Sequence, residues 1–406
     1  MKNLLIAQSG GPTAAINASL AGVMEAAMLN EGVDGIYGAV NGIQGVFEEK
    51  IIDLKRTVKN TADIELLCQT PSSALGSCRY ILVPHDKDEK QYEEFIRIMR
   101  KYHISYFIYI GGNDSMDTVF KLSEYCREKH IPDVVITGVP KTIDNDLAGT
   151  DHCPGFGSAA KYVATTFAEL KRDISVYSAP AVTVVEIMGR NAGWLTAASA
   201  LSRVNGGSGP ELIYLCEHAF EKEIFLSDIK EVMKREEACL VAVSEGLKDK
   251  TGRYISEESQ SDMTDAFGHK YISGTGRILE ELIRQEIGCK VRSIELNLMQ
   301  RCAAHIASET DLNEARMLGR KALQCAAEGQ NGVMASIHRL GSQPYAVEYT
   351  SVPAALVANH ERTVPPEMIH ENGHDVTEQM MQYLFPLIQG EPRVLYENGI
   401  PVHLFL

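Results

Sequence analysis

Short apolar runs rich in β-branched and aromatic residues recur along the chain at 4–7, 106–110, 134–137, 182–187, 239–243 and 333–337, with a further strand pattern at 294–298. Between them, apolar positions return every three to four residues over 14–28, 92–101, 115–129, 159–172, 194–202, 221–235, 277–287 and 313–328. That spacing gives a helix one buried face. Strand followed by helix, repeated, predicts an α/β chain whose mainly parallel sheets are covered by helices on both faces. In such folds ligands gather beyond the carboxyl ends of strands, so the strand-to-helix turns are where chemistry is expected. A polar stretch from 245 to 270 reads as a surface excursion between a strand and the next helix.

Composition narrows this picture. At 406 residues the chain is too long for one compact unit, and two domains are expected. A net charge of −15 offers no global attraction to nucleic acid or to an anionic membrane. Any anionic substrate must therefore be held by a local concentration of positive groups. Nine cysteines, odd in number and without close pairing, point to reduced thiols in a cytoplasm rather than to a disulfide framework or structural zinc. No window is long and apolar enough to span a membrane, and the first eight residues read as a strand rather than a leader.

Four turns carry the candidate chemistry. Gly10 and Gly11 follow the first strand, with Pro12 presetting the next helix, a combination that lets backbone amides approach an anion. A bare pair of glycines is also a common tight turn. Gly111-Gly112-Asn113-Asp114-Ser115 repeats the arrangement, although Asp114 or Ser115 would serve equally as an ordinary helix cap. Pro140-Lys141-Thr142-Ile143-Asp144-Asn145-Asp146 sets a lysine beside two carboxylates. Packing alone does not ask for that, whereas phosphoryl transfer to an alcohol needs a base for the hydroxyl proton and positive charge for the moving group. The plain alternative is an exposed acidic turn with an incidental ion pair. In Met188-Gly189-Arg190, an arginine after a strand is able to grip a phosphate or merely to pair with a surface acid. Ser72 to Arg79 is either an anion loop or a flexible serine-rich turn, and Arg292 and Arg301 are two more possible phosphate ligands.

Taken in order, these segments resemble the phosphofructokinase family from the first strand to about residue 337. The resemblance implies two Rossmann-like three-layer α/β/α domains, the phosphofructokinase fold. It implies a donor domain formed by 1–155 with about 300–355, and a sugar-phosphate domain formed by about 156–299 with 356–406. Thr142-Ile143-Asp144-Asn145-Asp146 is similar to the family's catalytic turn, with Asp144 as general base, Thr142 beside it and Asp146 orienting the network. Met188, Gly189, Arg190 and Glu245 fall in its sugar-phosphate segments. Arg292 and Arg301 stand where the family holds the 6-phosphate, Arg292 reaching from a neighbouring subunit of a homodimer or homotetramer. Gly11, Ser77, Arg79 and Gly112 match the donor side.

Asp114 and Lys141 replace the small glycines of ATP-using members, and 154–161 also resembles the pyrophosphate-using branch. A carboxylate at 114 would repel a nucleotide's α-phosphate. Two unit charges about 4 Å apart at an effective dielectric near 20 interact by roughly 4 kcal/mol, enough to reverse donor choice before screening. The implied reaction is reversible transfer from pyrophosphate to the C1 hydroxyl of fructose 6-phosphate with Mg2+, the metal falling near Asn113 and Asp114. Asn113, Ala181 and Leu298 depart from the family's usual aspartate, arginine and histidine. An ATP-dependent enzyme and a non-catalytic sugar-phosphate-binding paralogue remain the alternative readings.

Overall fold

The computed structural model describes residues 2–258 and 274–406, and forms two compact units. The part of the expected 245–270 excursion from 259 onward lies outside the described residues. In chain order the elements are β1 (Asn3–Gln8), α1 (Ile16–Leu29), β2 (Ile36–Ala39), α2 (Gly42–Phe47), β3 (Ile51–Asp53), α3 (Thr61–Gln69), α4 (Lys90–Lys101), β4 (Ile104–Gly111), α5 (Asn113–Glu128), β5 (Val135–Pro140) and α6 (Phe156–Ile174). They continue with β6 (Ala181–Ile187), α7 (Trp194–Ala197), β7 (Leu212–Tyr214), α8 (Lys222–Val232), β8 (Ala238–Ser244), α9 (Thr275–Glu286), β9 (Lys290–Glu295) and α10 (Met299–Cys302). The chain closes with α11 (Glu309–Ala327), β10 (Val333–Ser342), β11 (Tyr345–Pro353), α12 (Glu378–Leu384) and the two short strands β12 (Tyr396–Glu397) and β13 (Ile400–Pro401).

The first unit holds residues 1–158, 301–361 and 389–406. Its sheet runs β11-β10-β5-β4-β1-β2-β3, five parallel strands with an antiparallel strand at each edge. Every residue of β1 is buried, because helices cover both faces; residues 4–7 are apolar, while Asn3 and Gln8 at its ends find hydrogen-bond partners. Its side chains alternate: Leu4 and Ile6 pack with α1 and α11, while Leu5 and Ala7 pack with α4 and α5.

The second unit holds residues 159–300 and 362–388, around the all-parallel sheet β7-β8-β6-β9. β6 and β8 are apolar runs for the same reason, and β9 is an edge with Lys290, Arg292 and Glu295 exposed. The strand expected at 294–298 therefore lies earlier. Asn297 takes a left-handed φ of 45° that no strand accommodates, and α10 begins two residues later.

Residues 389–406, expected with the second unit, pack in the first. The Gln69 side chain donates to the carbonyls of Leu395 and Val402 at 3.2 and 2.7 Å, and Leu404 and Leu406 lie against the core. All nine cysteines are free thiols. Among the described residues no helix is long and apolar enough to cross a membrane.

Candidate active site

Three of the four turns, together with Arg301, belong to the first unit. Gly10, after β1, has a φ of 78°, and a Cβ there would meet the Lys141 ammonium nitrogen at 2.9 Å. Only glycine suits both the backbone and the space. The Gly11 carbonyl accepts from Lys141 Nζ at 2.8 Å, and the Gly10 carbonyl accepts from Ser77 Oγ at 2.6 Å. A Cβ on Gly11 would stand 3.4 Å from a guanidinium nitrogen of Arg301. The β1 turn, Lys141, Ser77 and Arg301 thus meet at one place.

Lys141 continues the pairing of β5 with β4, its N–H donating to the Gly111 carbonyl at 3.0 Å, which carries the side chain inward to 2% exposure. Burial pushes its ammonium down to about 8. Asp144 and Asp146 oppose that shift and Arg301 adds to it. Arg301 is likewise lowered, chiefly by burial, with the charge of Arg79 adding to the effect. Asp146 is pushed up by burial and then by Asp144. Like charges are held near one another on both sides, Arg301 with Lys141 and Arg79, and Asp144 with Asp146.

The 140–146 turn itself is pinned at two points. Thr142 N–H donates to the Pro154 carbonyl at 3.2 Å, and the fully buried Asn145, at a left-handed φ of 57°, accepts from Cys153 N–H at 2.9 Å. Between them Asp144, its N–H on Thr142 Oγ1 at 3.1 Å, is half-buried. Asn145 stood inside the recognised motif without a role; its structural use depends on a residue eight positions away and is invisible to local pattern.

At the start of α5, Gly112 is half-buried and Asp114 lies exposed in the first turn. Asn113 does something else: its Oδ1 accepts from Asn359 N–H at 2.6 Å and its Nδ2 donates to the His360 carbonyl at 2.9 Å. The carboxamide thus holds the 357–360 turn. Among the described residues no group of three or more His, Cys, Asp or Glu side chains is arranged to hold a metal ion. Carboxylate oxygens such as those of Asp114 and Asp146 are the hard donors that magnesium prefers, an ion that commonly keeps several water ligands.

The second unit carries the remaining turn. Gly189 N–H donates to Glu245 at 3.2 Å, its carbonyl accepts from Ser244 Oγ at 2.7 Å, and Met188 N–H donates to Gln300 at 3.3 Å. The strand ends of β6 and β8 are thus tied together, with Arg190 half-buried at the tip. Glu217, which no motif flagged, accepts from both Gly193 N–H and Val364 N–H at 2.8 Å. The Arg362 guanidinium lies 4.6 Å over the ring of Trp194. Arg292 is exposed on edge strand β9, whereas Arg301, expected with it on one phosphate, stands in the first unit beside Gly11.

The chain belongs to the phosphofructokinase family, whose model matches residues 3–326. Within that family it is 40% identical to the pyrophosphate–fructose 6-phosphate 1-phosphotransferase of Xanthomonas campestris pv. campestris (strain B100), over 100% of this chain and 96% of that protein. It is 41% identical to the protein of the same name from Halomonas elongata, over 98% and 94%. A crystal structure of pyrophosphate-dependent phosphofructokinase from Nitrosospira multiformis superposes with a TM-score of 0.88 at 37% identity, covering 98% of this chain and 95% of that one.

Proposed function

We propose that this chain catalyses reversible phosphoryl transfer from pyrophosphate to the C1 hydroxyl of fructose 6-phosphate, giving fructose 1,6-bisphosphate and phosphate. The observation that carries the reading is Lys141: a lysine 2% exposed, bonded to a glycine carbonyl of the neighbouring turn, where a nucleotide-using relative has no charge to place. Names borne by full-length relatives at about 40% identity support the same donor.

In this mechanism Asp144 accepts the proton of the C1 hydroxyl as that oxygen attacks phosphorus, and the bond to the bridging oxygen of pyrophosphate breaks. Asp146, whose carboxyl burial and Asp144 hold above the usual range, orients the turn and shares the negative charge. Lys141 steadies the leaving phosphate, with Gly11, Gly112, Ser77 and Arg79 forming the donor cradle. Arg301 faces the same cradle through Gly11, so we assign it to the donor or transferred phosphoryl rather than to the sugar 6-phosphate. Asp114 guards the donor end against an α-phosphate. Met188, Gly189, Arg190, Glu245 and Thr142 receive the sugar phosphate, with Arg292 supplied by a neighbouring subunit of a homodimer or homotetramer. Asp114 and Asp146 would hold magnesium, which when bound neutralises charge on the phosphates. The enzyme works in the cytoplasm.

Fructose 1,6-bisphosphate formation from fructose 6-phosphate and magnesium, with pyrophosphate or ATP offered separately, tests this. Product with pyrophosphate and little with ATP is expected. Product with ATP alone would replace the donor assignment, and none with either would leave a binding protein.

A further inference from the structure

The segment after the reacting turn, 151–158, is held by helix α11 through an unusual set of buried groups. His152 is 2% exposed, with Nδ1 at 2.8 Å from Asp151 Oδ1 and Nε2 at 2.6 Å from Glu314 Oε2. Tyr345 on β11 donates its hydroxyl to the other oxygen of Glu314 at 2.6 Å, and Arg339 Nε on β10 donates to Asp151 Oδ1 at 2.9 Å. One turn earlier on α11, buried Asp311 accepts from Gly155 N–H at 2.8 Å and from the N–H and hydroxyl of Ser158 at 2.9 and 2.5 Å. It thereby supplies partners for the first amides of α6. Gly155, at a φ of 98°, packs so closely on Thr13 of the β1 turn that a Cβ would meet that side chain at 2.8 Å.

This clamp reaches the chemistry through the two bonds already described, Thr142 N–H to Pro154 and Cys153 N–H to Asn145. Packing does not require it. An imidazole between two carboxylates in a core is expensive unless each group is paired, and an apolar substitute would fill the space at lower cost. Such a network does fix one arrangement of the backbone it joins.

We propose that His152 is a positioning residue, which by bridging Asp151 and Glu314 fixes the 151–158 segment and through it the placement of Asp144. This rests on Asp144 being the reacting carboxylate. Burial opposes protonation of the ring, but Glu314 and Asp151 outweigh it and push His152 up to about 9, so the bridge is a charged one at neutral pH. The charged or titratable groups facing it are Asp151, Glu314, Arg339, Tyr345 and Asp311.

The test compares His152→Gln, Glu314→Gln and the double variant in the full chain. Each single variant is expected to lower kcat at least tenfold while KM for fructose 6-phosphate and pyrophosphate stays within about twofold. The double variant should be no worse than about twofold below the weaker single, because the two residues act through one link. Amide hydrogen exchange gives a readout independent of activity: Asp144, Cys153 and Gly155 should exchange at least tenfold faster in His152→Gln, with β4 unchanged. Tyr345→Phe, the mildest change, serves if the others do not fold, and should lower kcat about threefold. Normal kcat in folded His152→Gln or in Tyr345→Phe, additive losses, or unchanged exchange at Asp144 would overturn the proposal. A wild-type protein that forms no product, yet shows the exchange difference, would instead remove the function and leave the clamp.

Discussion

The strand ends of the two units handle charge in opposite ways. In the first, Lys141 is buried within the field of Arg301, Arg301 within that of Arg79, and Asp146 within that of Asp144. In the second, the turn is already satisfied: Gly189 is bonded at both N–H and carbonyl, and Glu217 accepts two backbone amides. A folded chain keeps the first arrangement only at a cost to its stability, which an incoming polyanion relieves. The second costs little and supplies shape. On the proposed function, the first region would take the charge of the donor and the second the outline of the sugar.

The sharpest way to break this comparison is at the reacting turn. Asp144→Ser should lower kcat by roughly 10²–10⁴-fold with sugar binding largely intact, as measured by steady-state kinetics. Lys141→Met comes next: kcat/KM for pyrophosphate should fall about 10²–10³-fold. The ligand-free protein should meanwhile become more stable by about 1–3 kcal/mol at pH 7 in denaturant unfolding, because a desolvated ammonium is gone. Loss of both activity and stability would mean that the lysine is structural.

The pH dependence follows from the same group. In the folded chain Lys141 titrates near 8, below its ordinary 10.5, so the unfolded chain binds that proton more tightly. Its contribution to stability is therefore unfavourable below about 8 and is relieved as pH rises from about 8 towards about 10.5. Binding runs the other way, since pyrophosphate needs the charged form. kcat/KM for pyrophosphate should fall about tenfold per pH unit above 8, and Lys141→Arg should remove that fall. The smallest effect belongs to the second unit. Ser244→Ala leaves the Gly189 carbonyl without its donor and should cost about 1–2 kcal/mol of stability, raising KM for the sugar about threefold and leaving KM for pyrophosphate unchanged.

How much of this was legible in the sequence depends on where a residue finds its partners. β1, β4, β6 and β8 read as strands because burial on both faces demands continuous apolar runs. β2, β3 and β7 are three or four residues long and β11 alternates with half-exposed positions, so no periodicity marks them. The 140–146 turn stood out because two carboxylates beside a lysine make poor packing, and the structure does bury Lys141 there. Asp311, Glu314 and His152 were not, since a lone acid on a helix looks like any solvated face until its partner, some 150 residues away, is known. The bonds of Asn113 were hidden for a related reason: its carboxamide serves the 357–360 turn, nearly 250 residues away. The tail at 389–406 was misplaced because scattered contacts hold it to the first unit, among them Gln69, Thr70 and Ser308 with the apolar Leu404 and Leu406.

The proposed donor choice turns on the two charges at Asp114 and Lys141, and the direct measurement is the ratio of kcat/KM for pyrophosphate to that for ATP in the wild type and in the double variant Asp114→Gly, Lys141→Gly. A ratio that drops by at least 10²-fold, with ATP use rising in absolute terms, is the predicted result. A ratio unchanged within threefold in the folded double variant would contradict it.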